Sequence, residues 1–156
     1  MRYKERMKKI SVYTLVILFI WFSLDMTGFS IGDFTLVEPA WNSIDGVWWI
    51  VFLILSILFV LKEKIGKYLL SIFLLLWAAI QFYSHWYYTL FGASEEKIDS
   101  YNQYFKETYQ IIPSTKEILI PDFYHIVLHI LILTTLFSLV LFIINKRRYD
   151  KKDANN

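Results

Sequence analysis

The sequence predicts an all-α membrane protein: a four-transmembrane-helix bundle with both termini inside the cell and a short amphipathic helix in the second outer loop. Three observations lead to that fold class. The chain is 56% hydrophobic with a mean hydropathy of +0.43, too apolar for an ordinary soluble domain. Its apolar residues gather in four long stretches. Its lysines and arginines are divided very unevenly between the segments that join those stretches.

The expected spans are residues 10–31, 47–61, 68–91 and 122–145 of a single integral domain, 1–156. A helix needs about 20 apolar residues to cross a hydrocarbon core of ~30 Å. The second stretch has only 15 residues between Gly46 and Lys62, so residues 41–45 are expected in the headgroup region of a shallow span. Backbone amides in hydrocarbon must be paired internally, and runs of this length pair them as helices rather than as barrel strands. The basic start and first apolar run also resemble a signal peptide. No A-x-A-like site follows Trp21, however, and a retained anchor is expected.

The connections differ in kind. Residues 28–46, within which lies the outer loop 32–46, hold three glycines and Pro39 and read as irregular, with an extended piece at 34–37. In the outer loop 92–121, residues 94–110 read as helical: Ser94 is a cap, Glu95 and Glu96 suit a first turn, and Ile98, Tyr101, Phe105 and Tyr109 recur near helical spacing. That helix is expected flat on the membrane surface with its aromatic stripe down; packing of the stripe on residues 28–46 is the alternative. The tail 146–156 is cytoplasmic, and disorder is expected from residue 149 onward.

Charge sets the orientation. Thirteen of the sixteen Lys and Arg residues fall in residues 2–9, 62–67 and 146–152, which the positive-inside rule places in the cytoplasm of a multi-pass plasma-membrane protein. The other two connections carry Lys97, Lys106 and Lys116 against nine acids. Trp48, Trp49, Trp86, Tyr87 and Tyr88 then fall at outer span ends, where an interfacial belt belongs. The basic segments flank spans and answer to topology and anionic headgroups, so the bilayer is the expected partner and nucleic acid is not. The Ile, Lys, Tyr and Asn content suits an AT-rich bacterial coding sequence.

Absent features narrow the chemistry. With no cysteine there are no disulfides, thiolate ligands or cysteine nucleophile. There is also no HExxH, GxSxG or phosphate-cradling glycine loop. The ionisable residues inside spans are Asp25, His85, His125 and His129, with Asp122 at the mouth of the fourth; such residues are costly in lipid and mark sites. Counted from the flanking lysines at about 1.5 Å per residue, Asp25, His85, His129 and His125 stand at heights of roughly 24, 27, 26 and 32 Å. Asp122, His125 and His129 share one helix stripe, and Gln81, His85 and Tyr88 another.

An outward-facing pocket of Asp25, Gln81, His85, Asp122, His125 and His129 is therefore expected. One reading makes His85, His125, His129 and Asp25 the ligands of a zinc, iron or copper ion; the histidine count also leaves one bis-His haem open. A second makes His85, His129 and Asp25 acid and base toward a lipid or lipid-linked substrate of the outer leaflet, and proton relay or transport would use the same residues. A purely structural reading stands beside them: His125 bonds Asp122 or Tyr88 near the headgroups, Asp25 caps or contacts the following loop, Gln81 joins two helices, and the chain is a non-catalytic accessory subunit of a larger membrane complex or transporter.

Overall fold

A computed structural model of the chain describes residues 2–113 and 115–154. Helix α1 (Arg2–Thr27) stops at Gly28, whose φ of +71° lies in the left-handed region. A Cβ at Gly28 would stand 2.9 Å from Pro39 Cδ, so glycine serves both the helix end and the close return of the loop. Residues 28–31 therefore leave the first expected span. They form β1 (Phe29–Ile31), which pairs antiparallel with β2 (Phe34–Val37). Only Gly32 and Asp33 join the strands, and Gly32 at φ +58° supplies the positive φ that tight hairpin turns need. Strand β2 coincides with the extended piece expected at 34–37.

Helix α2 (Ile44–Leu61) starts three residues before the expected span because Ser43 caps it, its Oγ accepting from Asp45 N at 3.0 Å. Lys62 alone connects it to α3 (Glu63–Gln81). A Cβ at Gly66 would lie 2.4 Å from Phe59 Cα, so this hairpin closes backbone to backbone only because residue 66 lacks a side chain. A π-helical turn (Phe82–Tyr87) and α4 (Tyr88–Phe91) extend α3. Helix α5 (Glu95–Tyr104) is capped by Ser94, as expected, but ends six residues before Gln110. Helix α6 (Phe123–Ala154) continues through the tail where disorder was expected from residue 149; the final residues, 155–156, lie outside the described residues.

Four helical stretches are long and apolar enough to cross a membrane: Glu5–Thr27, Ile44–Leu61, Glu63–Phe91 and Phe123–Arg148. Helix α1 packs on α2 and α6, and α3 packs on α2 and α6, which gives the order α1, α2, α3, α6 around the bundle. The core between them contains Leu18, Phe22, Phe52, Leu74, Leu128 and Ile132, all buried. Exposed Ile17, Ile20, Ile54, Leu75, Leu133 and Phe137 give the outward faces the apolar surface that lipid requires. On the α1–α6 seam Thr14 Oγ1 meets Ser138 Oγ at 3.0 Å, and Thr135 Oγ1 donates to Thr14 O at 3.2 Å.

The bundle has two dissimilar ends. At the lysine end Glu63 accepts from Lys8 Nζ at 2.8 Å and from Lys146 Nζ, joining α1, α3 and α6. At the loop end the two long connections meet: Tyr109 N donates to Thr35 O at 2.7 Å and Ala40 N to Asp25 O at 2.7 Å. Two members of the expected stripe, Ile98 and Tyr101, are turned into the protein. Ile98 and Tyr101 are buried with Leu119, and Tyr88, Ala93 and Phe105 pack against them, while Tyr109 stacks near Phe34 with ring centroids 5.1 Å apart.

Candidate functional site at the loop end

The loop-end portions of all four spans converge on a cavity of about 270 Å³. Helix α1 ends in Asp25, α2 begins with Asp45 and Trp48, α3 contributes Trp77 and Gln81, and the π-helical turn contributes Ser84 and His85. Asp122 and His125 come from the start of α6, and the roof is built from residues 37–40 together with Tyr104, Phe105 and Thr108. A π turn inserts a residue into the helical register and is frequently found at functional sites. Here it carries His85, which is buried.

Asp122 caps α6: its Oδ1 accepts from His125 N at 2.9 Å and meets His125 Nδ1 at 2.7 Å. With a proton on Nδ1 directed to the carboxylate, the Nε2 atom of neutral His125 is the acceptor, the arrangement that makes an imidazole a base. Asp122 is fully buried, and its Oδ2 has no hydrogen-bond partner among the described residues. The rings of His85 and His125 stack with centroids 4.1 Å apart and planes 23° from parallel. His85 Nδ1 in turn bonds Tyr101 Oη at 2.7 Å. Burial, and after it the charge of Asp122, pushes the Tyr101 phenol well above its ordinary range, so Tyr101 keeps its proton. When that proton lies in the bond to Nδ1, His85 holds its own on Nε2.

Five of the six residues expected to form the pocket line this cavity: Asp25, Gln81, His85, Asp122 and His125. His129 does not. It is buried edge-on to Trp86, at 6.2 Å between centroids, with Nδ1 unpartnered. Among the described residues no three His, Asp or Glu side chains stand together as a metal ion requires. The zinc, iron or copper centre expected from His85, His125, His129 and Asp25 is thus not assembled. The third imidazole is the one out of place: His85 and His125 stand together at the cavity, whereas His129 lies outside its lining, against Trp86.

Sequence reasoning missed several parts of the site. Asp45 and Glu38 counted only as loop charges, yet both line the cavity. Trp48, expected in an interfacial belt, lines it too and lies 6.3 Å from Trp77, while Trp49 donates to Ser23 Oγ at 2.9 Å. Trp77 rests on Phe22 at 4.5 Å and Phe52 at 5.4 Å, so the cavity stands on the aromatic core. Tyr88, expected beside Gln81 and His85, instead bonds Tyr83 Oη at 3.2 Å on the outside, because the π turn breaks the stripe. The chain matches no protein-family model, no curated protein and no solved structure.

Proposed function

We propose that this chain is a multi-pass plasma-membrane protein, with both termini cytoplasmic, whose loop-end cavity opens to the outer face and transfers protons to or from a substrate at the outer leaflet. The observation that carries the reading is the 2.7 Å Asp122–His125 bond on the wall of a polar cavity. A carboxylate that orients an imidazole, fixes its tautomer and stabilises its protonated form is the recurring base of acid–base catalysis. The second imidazole at 4.1 Å and Tyr101 beyond it form a chain of groups able to pass a proton on. Orientation rests on the basic segments at the lysine end. Exposed Ile44, Ile80 and Ser84 among the lining residues favour entry from the side, through lipid, as a lipid-linked substrate needs.

The absence of cysteine makes sidedness testable. In intact cells a membrane-impermeant maleimide is expected to label Glu96→Cys, exposed in the loop-end connection, and to spare Lys64→Cys; the reverse pattern overturns the orientation. For the chemistry, diethyl pyrocarbonate acylates a neutral, accessible imidazole. In purified protein His125 is expected to react before His85 and His129, and Asp122→Asn to slow it markedly. An unreactive His125, or one indifferent to Asp122→Asn, removes the base.

A further inference from the structure

The cavity's electrostatics are one-sided in a way that acid–base chemistry does not require. Asp25, Glu38, Asp45 and Asp122 line it, and among the described residues no lysine or arginine does. Two of its acceptors are buried without a donor among the described residues: Asp122 Oδ2 and Gln81 Oε1, on residues 0% and 8% exposed. Buried acceptors without donors are uncommon in folded proteins, and each requires an explanation. Asp25, 7% exposed, also has no side-chain hydrogen bond among the described residues. Aromatic side chains complete the walls: Trp48, Trp77, Tyr104 and Phe105.

We infer that the cavity takes a primary ammonium group, its N–H bonds filling Asp122 Oδ2 and Gln81 Oε1 and its charge balancing the surrounding carboxylates. This identification rests on the proposed site and names its ligand. Each feature selects independently. The carboxylates select a cation, and the aromatic walls suit an organic one, since ring faces attract ammonium groups. The two orphan acceptors demand N–H donors, which a quaternary ammonium lacks. Among the described residues no set of His, Asp and Glu is placed for a bare metal ion. The volume of about 270 Å³ equals about nine waters at ~30 Å³ each, so a small alkylammonium or the head of an aminophospholipid fits.

The test is calorimetric, on the full chain in nanodiscs of phosphatidylcholine alone. Ethylammonium is expected to bind saturably, and tetramethylammonium is not. Asp122→Asn should weaken ethylammonium by about tenfold or more, as expected when a buried charge partner is removed. Gln81→Leu should weaken it several-fold and serves if the first variant fails to fold. Repeating the titration with phosphatidylethanolamine in the disc separates the sources: an apparent affinity lowered by competition identifies the lipid headgroup as occupant, and an unchanged one identifies a free amine. No saturable ethylammonium binding, equal binding of tetramethylammonium, or indifference to both variants overturns the inference. If ethylammonium fails while His125 still reacts in a manner dependent on Asp122, only the ligand is wrong; if it binds while His125 is inert, only the chemistry is.

Discussion

At the lysine end Glu63 is held between Lys8 and Lys146, which tie three helices together. At the loop end Asp25 and Asp122 are more deeply buried, and among the described residues neither forms an ion pair with a lysine or arginine. A carboxylate paired across helices contributes to the fold, if modestly where water still reaches it. A buried carboxylate left without a cation costs stability. Proteins keep such groups where function needs them, at the expense of the folded state. The difference between the ends therefore separates charge used for assembly from charge held in reserve for a ligand.

The comparison can be broken most forcefully at the layer between the ends. Trp77 is both the floor of the cavity and part of the core, 3% exposed and in ring contact with Phe22, Phe52 and Phe73. Trp77→Ala is expected to cost about 3–5 kcal/mol, the largest effect of any change considered, read as a fall in unfolding midpoint in detergent. Survival of the full stability would mean that the core does not support the site. A smaller effect sharpens the distinction at Asp122, which has both roles. Asp122→Ala removes the cap on α6 and should cost about 1 kcal/mol. Asp122→Asn keeps an accepting oxygen for the cap while removing the charge, so it should preserve most of that stability and still slow acylation of His125. Equal loss of stability in the two variants would show that charge, not capping, holds the helix start.

How far the site could be read beforehand follows from what each signal measures. Apolar run length and the lysine clusters located four helices. Counting from flanking lysines gave height along each helix, enough to bring Asp25, Gln81, His85, Asp122 and His125 to one cavity. Height estimated from three different lysines also grouped His129 with them, but that histidine belongs to the Trp86 side of the bundle and the cavity does not reach it. Residues that enter through packing carried no local signal. Trp48 looked like an interfacial belt because its partner, Trp77, is 29 positions away. Tyr101 looked like a lipid-facing stripe because its bond to His85 exists only once α5 folds over the helix ends. The π turn has no sequence mark that distinguishes it from ordinary helix, so the break between His85 and Tyr88 was hidden. Of the hairpin at 29–37 only the second strand was legible, as the extended piece at 34–37.

The contrast between paired and reserved charge is tested most directly by neutralising one carboxylate at each end with its amide isostere and comparing thermal unfolding in the same detergent without added amine. Glu63→Gln gives up ion pairs with Lys8 and Lys146 and is expected to lower the midpoint by a few degrees, as a loss of about 1 kcal/mol would. Asp25→Asn removes a buried charge with no side-chain hydrogen bond and is expected to leave the midpoint unchanged or raise it. A midpoint lowered as much by Asp25→Asn as by Glu63→Gln would show that the loop-end carboxylate holds the fold together, contradicting its assignment to a ligand.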